Sequence, residues 1–177
     1  MNVLTGLGVS LMLAVVAGCV GGVKEISDEV IKVDIATVSA DGSVPVVAPI
    51  LSAGQPDAAA LQVFAKSGYV AVIDLRGVSE DRGIDEQAEV EALDMKYVTL
   101  PIVGDAAINF ENAEKLDRII AGFDAPVLVH CGSGNRVGAL LALRHRLAGA
   151  DDEAALELGK SAGLTSLEPV VRRRLTE

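Results

Sequence analysis

The chain has 177 residues, of which 50% are hydrophobic and only 3% are aromatic. This length is sufficient for one domain, whose core must be built mainly from Val, Leu, Ile and Ala. The formal charge of −10 argues against nucleic-acid binding, because affinity for a polyanion depends on clustered Lys and Arg side chains. The only such cluster runs from Arg172 to Arg174, so we expect no nucleic-acid partner.

The first 23 residues carry no charged side chain and are largely apolar, as in a secretory leader. The residues VAGC, Val16 to Cys19, resemble the lipobox of bacterial lipoproteins. The resemblance implies that residues 1–18 are a signal peptide and that lipid on Cys19 holds the protein at the membrane of the cell envelope. Val20 stands where aspartate retains lipoproteins at the inner membrane, which implies the periplasmic side of the outer membrane. A membrane-spanning anchor is the alternative, although five glycines dilute this stretch.

Along the rest of the chain, segments with the pattern of β-strands alternate with segments whose apolar residues have helical spacing. Strands are predicted at 30–38, 44–51, 69–75, 96–101 and 126–131. Helices are predicted at about 58–66, 84–94, 110–123, 151–162 and 167–175, and another follows the glycine-rich turn after residue 131. This alternation predicts a single α/β domain with a central, mostly parallel sheet and helices on both faces.

A thiol stands in the turn between the last predicted strand and its helix, in the sequence HCGSGNR at 130–136. The chain has two cysteines, and lipid on Cys19 would leave Cys131 without a disulfide partner. Gly132 and Gly134 allow successive N–H groups to point inward as an anion-binding nest at the start of a helix. The helix dipole and Arg136 both favour a thiolate there. The alternative is a small buried apolar residue at the end of a strand.

The residues HCGSGNRVGAL resemble the active-site loop of the protein tyrosine and dual-specificity phosphatases. VIDLR at 72–76 and YVTLPI at 97–102 resemble the flanking strands of small bacterial phosphatase-like proteins, and the similarity covers about Leu51 to Leu147. The resemblance implies a phosphatase-like domain at 44–177, preceded by a tether and an extended segment at 19–43.

Residue roles follow from the same resemblance. It implies that Cys131 attacks phosphorus to form a phosphocysteine, that Arg136 binds the phosphoryl oxygens and that an aspartate protonates the leaving group. Asp105, in the loop after YVTLPI, is the expected acid, and Asp81 and Asp85 are weaker candidates.

The rest of the loop is expected to contact the substrate. These residues are His130, Gly132, Ser133, Gly134, Asn135 and Val137. His130 is expected either to orient the loop or to be a buried, hydrogen-bonded histidine without a catalytic role. Arg76 ends VIDLR at the same edge of the sheet, where it is expected either to add positive potential at the mouth of the site or, as the favoured interpretation, to be a solvated side chain at a strand end. Two histidines at no ligand spacing predict no metal site, and no cofactor is expected.

Two departures from the phosphatase pattern leave three functions open. Only four residues separate Cys131 from Arg136, whereas the phosphatase loop has five, and the shorter loop is also the length of rhodanese-like sulfurtransferases. Val137 stands where a Ser or Thr hydroxyl assists release of the thiolate. The candidates are a phosphatase acting on a phosphomonoester, a sulfurtransferase with a persulfide on Cys131, and a catalytically weak protein that binds a small anion.

Overall fold

The computed structural model describes residues 29–177. The predicted signal peptide and the predicted lipidation site at Cys19 lie outside this range. Within residues 29–177 the chain forms five strands, at Val30–Lys32 (β1), Ile50–Ala53 (β2), Ala71–Asp74 (β3), Lys96–Thr99 (β4) and Val127–His130 (β5). Seven helices are present in the described residues, at Ile35–Asp41 (α1), Ala58–Lys66 (α2), Glu86–Ala92 (α3), Phe110–Ala121 (α4), Asn135–Leu147 (α5), Asp152–Ser161 (α6) and Glu168–Leu175 (α7).

The five strands form one sheet in the order β1-β2-β5-β3-β4, and every neighbouring pair is parallel. This confirms the predicted α/β fold with a central parallel sheet. The last strand, β5, lies in the middle, where His130 is in register with Ala53 of β2 and Asp74 of β3. The carboxyl ends of three strands therefore meet beside the glycine-rich turn.

Helices cover both faces of the sheet, as the alternation of elements predicted. One core cluster packs α1, α2 and α3 against side chains such as Leu51, Val72 and Leu128. The other cluster packs α4, α5, α6 and α7 against the opposite face, which presents Ile73 and Val129. Among the described residues, no helix is both long enough and apolar enough to span a membrane.

The prediction of an extended segment at 30–38 is wrong beyond Lys32, because residues 35–41 form a helix. The side chain of Asp34 accepts a hydrogen bond from the N–H of Thr37 and so caps this helix, and Gly42 ends it with a φ of 63°. The second predicted strand, 44–51, forms its ladder only from Ile50 onward. The predicted boundary between 43 and 44 thus falls between two elements of the same domain.

Candidate active site

The thiol of Cys131 lies at the end of the central strand and is 1% exposed. The chain turns around the sulfur, so that the backbone N–H of Gly134 donates a hydrogen bond to Sγ at 3.2 Å. Gly134 has a φ of 85°, in the left-handed region that favours glycine. It also marks the N-terminal end of α5, so the sulfur lies at a helix N-terminus as the sequence predicted.

The guanidinium of Arg136 is held firmly beside this turn. Its Nη1 donates to Oε1 of Glu80 at 2.6 Å and to the carbonyl of Ile102 at 3.1 Å, and its Nη2 donates to Oε2 of Glu80 at 2.8 Å. Nη2 also lies 3.7 Å from the position that a Cβ on Gly132 would occupy. The guanidinium thus faces the glycine turn on one side and the carboxylate of Glu80 on the other.

Glu80 is the partner that fixes Arg136, and it is itself held by a second arginine. Hydrogen bonds from Arg136 lower the pKa of Glu80 to about 2, against the opposing effect of partial burial. The Nε of Arg76 lies 3.2 Å from Oε2 of the same carboxylate. Glu80 is therefore ionised at any physiological pH, and it compensates the charge of Arg136.

Arg76 is not the solvated side chain that the sequence suggested. It is 8% exposed, and its guanidinium also donates to the side chain of Gln55 and, at 2.5 Å, to the carbonyl of Asp81. The sequence placed Arg76 at this edge of the sheet but did not show its partners, and it did not single out Glu80. Nothing in the polar stretch RGVSEDRG distinguishes them from ordinary loop residues, because their partners are remote in the chain.

A cavity of about 370 Å³ opens above the turn and is lined in part by Glu80, Ser133 and Arg136. Asp105 is exposed at the start of a short 3-10 turn, Asp105–Ala107, and lines the same cavity. Asp81 and Asp85 do not line it. Their carboxylates accept backbone N–H groups of Gly83 and Ala88, respectively. The structure thus brings Asp105, and neither alternative, to the cavity that holds Arg136.

Two loop residues predicted to contact the substrate have side chains that bind or pack against other parts of the protein, although Asn135 also lines the cavity. The amide of Asn135 accepts from the N–H of Thr165 at 2.8 Å and donates to the hydroxyl of Ser166 at 2.7 Å, so it ties the cavity wall to the segment before α7. The side chain of Val137 is fully buried in the core cluster. Gly132, Ser133 and the N–H of Gly134 remain at the turn itself.

A buried ionisable cluster lies beneath the turn. His130 and Glu86 are both fully buried, with Nε2 of His130 2.9 Å from Oε1 of Glu86 and 3.7 Å from Oδ1 of Asp74. Oδ2 of Asp74 accepts from the guanidinium of Arg82, at 2.6 Å, and from the hydroxyl of Tyr97, at 2.8 Å. Burial raises the pKa of Tyr97, and its hydrogen bond to Asp74 raises it further.

Three members of this cluster, Asp74, Glu86 and His130, are spaced closely enough to surround a metal ion. Arg82 already supplies a positive charge at this place, since it pairs with Asp74 and has its Nε 3.6 Å from Oε2 of Glu86. A fixed guanidinium beside the ligand atoms opposes a divalent cation. We therefore do not assign a metal to these residues.

The model of one protein family matches residues 36–166, and its description is a DSP-PTPase phosphatase fused to NAD+ kinase. The chain belongs to this family. The matched range contains the glycine turn, Glu80 and Asp105, and it begins within α1, before the predicted domain boundary at 44. Membership in this phosphatase family agrees with the resemblance carried by HCGSGNR.

One relative is similar to this chain in sequence, and two solved structures are similar to it in fold. A beta-lactamase hydrolase-like protein of Xylella fastidiosa is 36% identical over 94 residues, which are 51% of this chain and 22% of the relative's length. A candidate phosphatase of Neisseria meningitidis superposes with a TM-score of 0.62 at 21% identity, covering 72% of this chain and 92% of that one. TpbA of P. aeruginosa, solved in complex with pTyr, superposes with a TM-score of 0.53 at 20% identity. The match covers 72% of this chain and 79% of the TpbA chain.

Proposed function

We propose that this protein is a cysteine-dependent phosphatase that hydrolyses a phosphomonoester through a phosphocysteine on Cys131. The observation that carries the proposal is the buried sulfur at the bottom of the glycine turn, with the N–H of Gly134 at 3.2 Å and Arg136 beside the same turn. Backbone N–H groups and a planar guanidinium are suited to the equatorial oxygens of a phosphoryl group. Phosphoryl transfer depends mainly on such positioning and charge stabilisation.

The chemistry divides into two displacements at phosphorus. The thiolate of Cys131 forms the S–P bond as the bond from phosphorus to the ester oxygen breaks, and Asp105 gives its proton to the departing oxygen. Water then attacks phosphorus, the carboxylate of Asp105 takes a proton from that water, and the S–P bond breaks to return the thiolate and release phosphate. Arg136 holds the phosphoryl oxygens through both steps.

The test is hydrolysis of an aryl phosphate by the full chain and by Cys131→Ser. Wild type should release phosphate, the variant should not, and both vanadate and inorganic phosphate should inhibit by competing for the turn. Rapid acid quenching should trap a phosphate on Cys131. Binding of phosphate without turnover of any ester would instead indicate an anion-binding protein.

A sulfurtransferase is the second candidate, because only four residues separate Cys131 from Arg136. The residue after Arg136 is Val137, which is buried and carries no hydroxyl that could assist release of the thiolate. The discriminating assay supplies thiosulfate and cyanide. One added sulfur atom on Cys131 by mass spectrometry, with thiocyanate formed and no phosphate released from any ester, would replace the phosphatase with the sulfurtransferase.

We also propose that the protein is exported and anchored through lipid on Cys19, the residue that ends VAGC. Expression of the full chain and of Cys19→Ser in a bacterium tests this. Wild type should partition into detergent and carry the mass of the lipid, whereas the variant should do neither. Equal mass and equal membrane partitioning of the two chains would favour an uncleaved signal anchor.

A further inference from the structure

The position of Asp105 depends on the segment that carries it, residues 104–109. Asp105 is exposed, so burial of its own side chain does not fix it. Gly104, just before it, has a φ of 71°, in the left-handed region that favours glycine. Ile108, in contrast, is 1% exposed and lines the same cavity, and its N–H donates to the carbonyl of Asp105 at 3.1 Å. A displacement of Ile108 would therefore displace Asp105.

The carbonyls of segment 104–109 show what holds it in place, and each of them accepts a hydrogen bond. Those other than the carbonyl of Ile108 accept from nearby groups, namely the N–H groups of Ala107, Ile108 and Ala113 and the side-chain amides of Asn109 and Asn112. The carbonyl of Ile108 accepts from Nε of Arg174, 66 residues away, at 2.9 Å. Within residues 29–177, Arg174 is thus the one donor that ties these carbonyls to a distant element.

Arg174 lies on α7, which is itself packed firmly against the domain. Val170 and Val171 of this helix are buried in the same core cluster as the apolar side chains of α5. The guanidinium of Arg174 is only partly exposed, and its Nη1 donates to Oε1 of Glu177 at 2.7 Å. A hydrogen bond from a charged donor is stronger than one between neutral groups. α7 therefore offers a fixed support for the carbonyl of Ile108.

The segment before α7 is tied to the glycine turn. Ser166 and Leu167 line the cavity, and the hydroxyl of Ser166 accepts from the side chain of Asn135 at 2.7 Å. Arg174, near the other end of α7, is tied to the segment that carries Asp105. α7 thus connects the two loops that hold the proposed nucleophile and the proposed acid.

We propose that Arg174 is a positioning residue that holds Asp105 at the cavity before substrate binds. A general acid must lie within hydrogen-bond reach of the leaving oxygen, and a displacement of about 1 Å can cost about 10²-fold in rate. Arg174 contacts neither the substrate nor the reacting atoms and acts through Ile108. The proposal rests on the proposed function and on the role of Asp105 as its acid.

The first measurement compares two esters in variants of the full chain. Arg174→Met removes the donor and keeps the length of the stem. It should lower kcat/KM by about tenfold for an alkyl phosphate and by less than about twofold for p-nitrophenyl phosphate, whose leaving group needs no acid. Arg174→Gln places an amide nitrogen where Nε stands and should retain most of the activity. Arg173→Met, an exposed position one residue earlier, is the matched control and should equal wild type.

Two further measurements separate positioning of the acid from a general effect on the fold. In an Asp105→Asn background, Arg174→Met should cause no additional loss with the alkyl phosphate, because the acid that it positions is gone. Hydrogen–deuterium exchange without substrate should be faster in the peptide that contains residues 104–108 and unchanged in the peptide that contains Cys131. Circular dichroism identifies variants that do not fold, and Arg174→Ala is a second variant without the donor.

The proposal is wrong if folded Arg174→Met loses nothing or loses equally with both esters. It is also wrong if Arg174→Gln loses as much as Arg174→Met, if Arg174→Met adds a loss in the Asp105→Asn background, or if exchange at 104–108 does not change. The exchange measurement needs no ester. If exchange responds as expected while wild type hydrolyses no phosphate ester, the proposed function fails and the anchoring of segment 104–109 by Arg174 stands.

Discussion

At the residue scale, the pairing of Glu80 with Arg136 shapes the site most directly. Two hydrogen bonds of 2.6 and 2.8 Å orient the guanidinium, and its charge is compensated at the same time. A fixed orientation helps catalysis, because the guanidinium of Arg136 can then meet the negative charge that develops in the transition state without reorganising. Compensation of the Arg136 charge by Glu80 lowers the attraction of the site for anions. A variant that lacks the Glu80 charge should therefore lose the orientation of Arg136 without a matching loss of affinity for anions.

Glu80→Gln should therefore lower kcat for an aryl phosphate by about tenfold, or ~1.4 kcal/mol of activation free energy, because Arg136 is no longer fixed. Inhibition by inorganic phosphate should weaken less or become stronger. Steady-state kinetics measure both quantities. Glu114→Gln, an exposed position on α4, is the control, and an unchanged kcat in Glu80→Gln would contradict the positioning role.

The depressed pKa of Glu80 also predicts how stability depends on pH. A carboxyl group whose pKa falls from 4.5 in the unfolded chain to about 2 in the fold stabilises the protein fully above pH 4.5. That contribution is lost as pH falls toward 2. Thermal melts of wild type and Glu80→Gln should differ most at pH 6 and converge near pH 2; a gap that does not narrow would refute this.

Asp105 is expected to matter for formation of the phosphocysteine only when the leaving group needs a proton. Asp105→Asn should lower kcat/KM, which reports that first step, by about 10²- to 10⁴-fold for an alkyl phosphate and leave it nearly unchanged for p-nitrophenyl phosphate, since p-nitrophenolate departs without protonation. Kinetics with both substrates test this. Asp81→Asn is a matched control, because Asp81 does not line the cavity, and equal losses for both esters would remove Asp105 from the role.

At the element scale, the close approach of α5 and α6 sets the position of the turn. Gly138, one turn into α5, has space for no side chain. An added Cβ would lie 2.2 Å from the backbone N of Leu164 and 2.5 Å from the carbonyl of Gly159. Because these neighbours are backbone atoms, relief requires the helices to separate.

Gly138→Ala should consequently lower the free energy of unfolding by about 3 kcal/mol or more, despite the better helix propensity of alanine. Denaturant titration measures this value. Glu157→Ala, exposed on α6, should stay within about 0.5 kcal/mol of wild type. A stable Gly138→Ala protein with wild-type activity would show that the interface adapts without moving the turn.

At the scale of the whole molecule, β1 and α1 are part of the domain. β1 pairs with β2, and Val33 and Val38 are buried in the cluster that covers one face of the sheet. A chain beginning at residue 44 would expose the edge of β2 and lose both valines, each worth about 1.5 to 3 kcal/mol of burial.

A fragment covering 44–177 should therefore be unfolded or melt far below a fragment covering 29–177, which serves as its control. Circular dichroism against temperature compares them. Equal melting temperatures would support the boundary between 43 and 44 that the sequence predicts.

The sequence by itself determined the elements and the turn that depend on local patterns. Cys131, Gly134 and Arg136 lie within six residues, so strand, nest and helix start could be predicted together. The alternation of strands and helices likewise predicted the parallel sheet. The helix at 35–41 was missed because its β-branched residues favour strand, whereas the cap at Asp34 and packing of Val38 favour helix.

Only the tertiary structure decided which distant side chains complete the site. Glu80 and Arg136 are 56 residues apart, and Glu86 and His130 lie on different elements. An acidic residue in a polar loop has the same local pattern whether it is solvated or buried against an arginine. Its role follows from the strand order, which places the loop after β3 beside the turn after β5, and burial then makes each charge depend on its partner.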